Sequence, residues 1–444
     1  MIKQSETKRL LHYAFLVGYA MMLFAIALRN VFHINIPILL FLVIVGVLAC
    51  IGDENDIIAL CIAMMPLSKA FQYKYALLLC VGVYILKFIV IKRVDKFKLN
   101  ASVYVILTMI FLELMHAGDI AFSFVEYFRS ITELIFLASL FMFVKVKDLK
   151  FNYIAILLAI TTVFMTSLVL IIQMQTNQAT LQTIFTGNYF RLGIADIKIE
   201  NYGLNYNSNE LGAICNSAIC ALIVKTSHSR THWYDLVLIT LLFIFGFFTL
   251  SRTFILVFAF VIIYMLLSKK EKASLKFKKI IFVSIGLILF FITIKLLVPG
   301  VVDSFIGRFM VEDVTNGRSF LFSFYNDHIF ASFKNLFWGI GVQNLKIKIQ
   351  DMYGPSIEVP HNAYQELVVV WGIWGLILFV TLITYIVFNW HTKQEKKSIE
   401  LLPLLVLLIS ISAGQFITGS SQIIELALAY IAMMSKPSIF RRNN

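Results

Sequence analysis

Apolar residues in this chain come in long blocks, with polar residues gathered in short strips between them. Fourteen blocks read as membrane-spanning segments, near 11–28, 35–51, 56–70, 74–91, 100–116, 124–144, 152–172, 208–225, 233–250, 253–267, 280–297, 363–388, 400–416 and 420–434. Crossing a hydrocarbon core takes about 20 helical residues. Inside it each backbone donor and acceptor must be satisfied within the protein, so blocks without period-2 alternation predict helices rather than a barrel. The block 56–70 is the weakest, because Pro66 and Lys69 shorten it. Parity requires it: the strip 92–98 joins the other basic strips on one side only if the chain crosses between 52 and 73.

Most of the 38 Lys and Arg residues lie in those strips. The strips are Lys3, Lys8 and Arg9; Lys92, Arg93, Lys96 and Lys98; Lys145, Lys147 and Lys150; Lys225 and Arg230; Lys269 to Lys279; Lys393, Lys396 and Lys397; and Lys436, Arg441 and Arg442. All fall on one side of the predicted spans, which makes that side cytoplasmic and places both termini there. The expectation is an all-α, polytopic protein of the cell membrane. Its parts are N-terminal transmembrane helices (1–172), an extracytoplasmic loop (173–207), central transmembrane helices (208–297), a large extracytoplasmic loop (298–362) and C-terminal transmembrane helices (363–444). The large loop is rich in Phe, Trp, Ile and Leu, which is not a disordered composition. Phe320, Phe324 and Ile329, with Leu321, recur at helical spacing, reading equally as a helix on the membrane surface or one packed on the protein itself.

Composition sharpens this picture. Of 444 residues, 60% are hydrophobic and 14% charged, against about 25% charged in soluble domains. The net charge of +13 does not imply nucleic acid, since the basic strips account for it. The five cysteines lie in apolar blocks, so no disulfide framework is expected. Residues 1–10 are polar and basic and no small-residue cleavage site follows, so no cleavable signal is expected. The histidines are scattered without metal-ligand spacing, and no phosphate-binding or dinucleotide motif occurs.

On the outer side the candidate cations are Arg191, Arg252, Arg308 and Arg318. A guanidinium presents a planar fork of donors that suits phosphate oxygens; the plainer reading of each is snorkelling or a salt bridge. Arg252 closes the tight turn Thr249-Leu250-Ser251-Arg252-Thr253 between two apolar spans. His361 stands at the mouth of the span that begins after Pro360, where a neutral imidazole can take a proton from a hydroxyl or serve as an interfacial histidine. Asn362 is a substrate contact or an N-cap, and Glu366, one turn on, can orient His361 or a substrate. Glu126, Arg129 and Glu133 share a helical face and read foremost as a structural ion pair. Glu113, His116 and Asp119 can join the same cavity; Asn209 and Glu210 open one span, and Glu425 lies in the last.

Four patches resemble the Wzy-type polysaccharide polymerases and O-antigen ligases of bacterial surface polysaccharide. They are Arg191-Leu192-Gly193 with Asn207-Ser208-Asn209-Glu210-Leu211-Gly212; Leu250-Ser251-Arg252-Thr253; Thr315-Asn316-Gly317-Arg318-Ser319 with Trp338-Gly339-Ile340-Gly341; and His361-Asn362-Ala363-Tyr364 leading into Trp371-Gly372-Ile373-Trp374-Gly375-Leu376. The resemblance covers roughly residues 185–390. It implies a GT-C-like, metal-independent glycosyltransferase without a cofactor. The implied substrates are undecaprenyl-pyrophosphate-linked oligosaccharides, as both donor and acceptor. Arg191, Arg252 and Arg318 would grip the pyrophosphate, with Arg308 a less clear match, and His361 would activate or position the acceptor hydroxyl. The implied partners are membrane lipid, a chain-length regulator and a flippase. A polymerase transfers the chain to a new lipid-linked repeat unit and a ligase to another acceptor. A flippase for the same lipids and a structural membrane protein are the readings from other classes; against a flippase stand the long loops and the lack of two similar halves.

Overall fold

The computed structural model describes residues 2–71, 73–92, 100–116, 124–143, 149–176, 190–193, 206–268, 273–309, 318–342, 345, 349, 351, 354, 360–393, 396–412, 414 and 420–434. Most of these residues are helical, with no strand among them. In chain order the helices are α1 (Ile2–Val31), α2 (Ile38–Ile51), α3 (Glu54–Met64), α4 (Tyr73–Lys92), α5 (Ala101–Met115), α6 (Phe124–Phe143), α7 (Phe151–Gln175), α8 (Ser208–His228), α9 (Trp233–Phe248), α10 (Arg252–Ser268) and α11 (Ala273–Leu297). They continue with α12 (Pro299–Phe309), α13 (Arg318–Phe330), α14 (Phe333–Trp338), α15 (Ala363–His391), α16 (Leu402–Ser410) and α17 (Ser420–Met434). Four stretches, Glu6–Val31, Phe151–Gln175, Ser208–His228 and Ala363–His391, are each long and apolar enough to cross a membrane.

Polar side chains set several helix starts. Asp53 and Asp56 form a reciprocal capping box at α3, Asn100 accepts from the Val103 amide at α5, and Asn207 accepts from Asn209 at α8. Each satisfies an amide that the helix itself leaves open. Along the helices the usual arrangement of polar and apolar surface is inverted. Phe24, Leu39, Phe111, Leu256, Ile288 and Leu296 point outward and are exposed. Thr161, Thr162, Thr166, Asn216, Ser217 and Glu425 are buried between helices. The threonine hydroxyls donate to carbonyls one turn back, and Glu425 accepts from Ser217 of α8 and Ser410 of α16. Polar contacts of this kind hold helices together where apolar side chains gain nothing by leaving their surroundings.

Side-chain contacts sort the helix ends into two groups. At one end His12 meets Asp56, the Lys150 amide donates to Asn55, and Lys87 donates to the carbonyls of Ala49 and Gly52. Lys225, at the close of α8, is buried against Asp235 at 2.5 Å, at the start of α9. Lys393 bonds Glu400 at 3.0 Å, beside His228. At the other end Gln175 donates to the Val31 carbonyl, the Leu192 amide to Phe248, and the Ala363 amide to Ile411 at 2.9 Å. The doubtful block 56–70 is α3 followed by a 3-10 turn, Met65–Leu67. It starts at the first end, where Asn55 meets Lys150, and finishes at the second, where the Tyr206 hydroxyl donates to Pro66.

Within the segment expected to be the large loop, α12, α13 and α14 are helical. The stripe on α13 differs from expectation. Leu321, Phe324, Tyr325, His328 and Ile329 turn inward, whereas Phe320 is exposed. The inner face packs on α15 through Gln365, whose amide donates to the Phe322 carbonyl and to Asn326. The helix therefore lies against the protein, the second of the two readings offered by its spacing.

Candidate functional site

The end that gathers Gln173, Arg191 and Thr249 is built around a backbone turn. α9 closes on Thr249, whose hydroxyl donates to Gly246 at 2.6 Å. Leu250 then takes φ +49°, a left-handed conformation that costs a side-chain-bearing residue about 1–2 kcal/mol. Ser251 caps the next helix by accepting from the Phe254 amide, and Arg252 is the first residue of α10. Burial of Thr249, Leu250 and Ser251 holds the strained turn in place. Gly212 of α8 lies directly beneath it: a Cβ there would stand 3.0 Å from the side chains of Thr249 and Ser251.

Arg191 reaches this turn from the short stretch before α8. Its Nε donates to the Thr249 carbonyl at 3.0 Å and Nη2 to Asn209 Oδ1 at 3.3 Å. Gln173, in the last turn of α7, fixes that stretch. Its amide donates to the carbonyls of Arg191 and Gly193 and its oxygen accepts from the Gly193 amide. The first two sequence patches thus form one unit, with the Arg191 guanidinium seated on the turn that ends in Arg252. The starts of α8 and α10 converge there, and helix N-termini carry partial positive charge. Arg252 is half-buried.

The other two patches form a second unit. Gly339 and Gly372, at φ +70° and +65°, bring α14 and α15 into backbone contact. The amides of Ile340 and Gly341 donate to the carbonyls of Val369 and Val370 at 2.9 and 2.8 Å. α15 is kinked there, at Trp371 and Gly372. α5 clamps the joint: Glu113 accepts from the Val342 amide at 2.8 Å and from the Trp371 indole at 3.0 Å, and a His116 ring nitrogen bonds the Trp338 carbonyl at 2.8 Å. Glu113 and His116, expected to line a cavity with Asp119, instead hold backbone and indole groups. Asp119 lies outside the described residues.

His361 is half-buried just before α15. Asn362 is the N-cap, its Oδ1 accepting from Tyr364 and Gln365 at 3.0 and 3.2 Å, which is the capping alternative read in the sequence. Glu366 is wholly buried. The backbones of Arg308 and Arg318 belong to α12 and to the first residue of α13; their side chains lie outside the described residues, as do that of Glu126 and residues Thr315, Asn316 and Gly317. Because Gln365 bonds Phe322, the helix opened by Arg318 packs on the first turn after His361.

The two units communicate through α16 and α8. The Ala363 amide bonds Ile411, next to Ser410. Ser410 and Ser217 share Glu425, and neighbouring Asn216 donates to the Phe254 carbonyl at 3.2 Å, two residues from Arg252. Glu133 pairs with Lys74 at 3.2 Å and accepts from the Tyr73 hydroxyl, so the structural role expected for it is filled from α4. Tyr206 donates to the Pro66 carbonyl, and its hydroxyl, its pKa pushed up by burial, accepts from the Lys69 amide at 2.9 Å. The position of Gln173 beside Arg191 carried no sequence signal, since it stands next to an apolar block without a motif. The chain matches no protein-family model and no curated protein.

Proposed function

We propose that this protein is a membrane-embedded glycosyltransferase that polymerises polysaccharide repeat units. It would transfer a growing glycan from polyprenyl pyrophosphate to the sugar of a new lipid-linked repeat, on the face away from the cytoplasm. The observation that carries this reading is the seating of Arg191 on the Thr249 carbonyl, which sets its guanidinium beside the turn of Arg252 where two helices begin. Such a site is cationic and fixed in advance. The grouping of His12, Lys150, Lys225 and Lys393 at the opposite end supports the topology in which the fourteen apolar blocks cross the bilayer and the termini are cytoplasmic.

The acceptor hydroxyl oxygen attacks the anomeric carbon, the bond from that carbon to the phosphate oxygen breaks, and its electron pair leaves with the pyrophosphate. Direct attack inverts the anomeric centre. Negative charge grows on the leaving oxygens, where preorganised guanidiniums are each worth about 3 kcal/mol of barrier. His361, at the start of α15, takes or orients the hydroxyl proton, a contribution of roughly 10²- to 10⁴-fold. Arg318, opening the helix packed on that turn, would complete the pyrophosphate grip.

Purified protein supplied with the lipid-linked repeat of its own source cells should yield polymer and released pyrophosphate lipid. Arg191→Ala, Arg252→Ala and His361→Ala should each leave single repeats. Long chains from any of the three would remove that residue from the site. Transfer of preformed chains to a different acceptor, without growth, would assign the ligase reaction instead.

A further inference from the structure

A groove runs between α2 and α4, away from the arginines. Leu39, Val43, Gly46, Val47 and Cys50 of α2 line it together with Leu79 of α4, and it holds about 480 Å³. Pockets for single small ligands span about 300–1,000 Å³. Gly46 keeps the groove open, since a Cβ there would stand 3.3 Å from the Leu79 side chain. Leu39, Val43 and Val47 are exposed, so it faces outward. No charged, hydroxyl or amide side chain lines it. At about 1.5 Å per residue the course from Leu39 to Cys50 is about 16 Å long. That is half of a hydrocarbon core about 30 Å thick, the depth of one lipid leaflet. The length and the lining suit a single acyl chain.

One end of the groove carries charge. α2 closes at Ile51, the residue after Cys50. The Lys87 ammonium donates to the carbonyls of Ala49 and Gly52, both at 2.8 Å, which sets it at that end. Two of its three hydrogens are used, and among the described residues the third has no acceptor. Asp53, next to Gly52, is exposed. Its Oδ1 caps α3 by accepting from the Asp56 amide at 2.9 Å. Its other oxygen takes no bond and pairs with no cation among the described residues. The neighbouring carboxylates are engaged, Asp56 by His12 at 2.8 Å and Glu54 by the Tyr84 hydroxyl at 3.0 Å. A fixed cation and an open carboxylate therefore flank Gly52. A headgroup that carries both charges answers this pair: its phosphate accepts the third Lys87 hydrogen and its ammonium donates to Asp53. A headgroup of net negative charge gains Lys87 but meets the Asp53 carboxylate.

We propose that the groove between α2 and α4 binds one phospholipid with a zwitterionic, amine-bearing headgroup, of the phosphatidylethanolamine class. One acyl chain lies along Leu39 to Cys50, and the headgroup sits between Lys87 and Asp53. None of these residues belongs to the arginine site, so the assignment stands apart from the glycosyltransfer reading.

The test uses the full-length protein, stripped of lipid in detergent. It is titrated with phosphatidylethanolamine and with phosphatidylglycerol of equal chain length, and bound lipid is counted by native mass spectrometry. Wild type should take up one phosphatidylethanolamine at least about tenfold more tightly than phosphatidylglycerol. Asp53→Asn keeps an N-cap oxygen for α3 but removes the charge; it should erase that preference and leave the melting temperature unmoved. Val47→Phe fills the groove from an exposed position and should weaken uptake of both lipids. The ratio of the two affinities is taken on the folded fraction of each variant, so a loss of stability does not mask it. Equal affinities in wild type mean a general lipid coat only and overturn the site. A preference that survives Asp53→Asn overturns the headgroup assignment, and unchanged uptake by Val47→Phe overturns the groove.

Discussion

Replacing Gly372 with Ala tests whether the joint between α14 and α15 is built on backbone contact. Gly372 has φ +65° and ψ −165°, a region populated almost only by glycine and costing other residues about 1–3 kcal/mol. An added Cβ would stand 2.2 Å from the Phe337 carbonyl carbon and oxygen and 2.6 Å from the Trp338 nitrogen. Those atoms are main chain, so no rotamer change relieves the overlap. The two segments would have to part by more than about 1 Å to reach ordinary contact. The bonds from Ile340 to Val369 and from Gly341 to Val370, at 2.9 and 2.8 Å, lie on the same joint; weakening buried bonds of this kind adds about 1–3 kcal/mol each. The expected total is on the order of 4 kcal/mol. Gly82 is the control: it lies within α4 and a Cβ there meets nothing within 4 Å, so Gly82→Ala should be neutral or stabilise by up to about 1 kcal/mol. Thermal unfolding in detergent, with trypsin digestion to report release of α14, compares the two. Equal melting temperatures for Gly372→Ala and wild type would refute the account of the joint.

Two further substitutions probe the rest of the bundle. Asp235→Asn leaves Lys225 charged and buried without its counter-ion, and should destabilise by about 3–5 kcal/mol; the double variant Lys225→Met/Asp235→Leu should recover much of that loss in the same melt, and a double variant as unstable as the single one would contradict it. Burial on the inner face of α13 lowers the His328 pKa. The unfolded chain then binds the proton first, so stability is level above about pH 6.5 and falls as pH drops below that value. Melting at pH 7.5 and 5.5 should show this slope, and His328→Gln should reduce it; an identical slope in the variant would exclude His328 as its source.

The helices were legible because an apolar block of sufficient length has little other choice, and the ends of α9, α10 and α17 fall within two residues of the blocks read from sequence. The pairing of Arg191 with the Arg252 turn was legible only as two patches in order. What joins them, Gln173 and the Thr249 carbonyl, is one amide in an apolar run and one main-chain oxygen, and neither has a composition signal. Glu113 and His116 were visible as buried polar residues, but their partners are a carbonyl, an amide and an indole more than 200 positions away. On α13 only Phe320 departs from the stripe read in the sequence; Leu321, Phe324 and Ile329 turn inward, and the docking of Gln365 determines that side.

The kink in α15 bears on how the chain is assembled. Carbonyls 369 and 370 point away from their own helix and are capped by amides 340 and 341, so this helix is incomplete as an isolated rod. In hydrocarbon, two uncapped carbonyls are a heavy penalty. The capping segment precedes the helix in the chain, and is therefore already synthesised when the helix emerges. Settling of the last three helices then requires the segment that carries amides 340 and 341 to dock on α15, and a version cut between residues 342 and 360 and supplied as two pieces would have to reassemble that contact between separate chains.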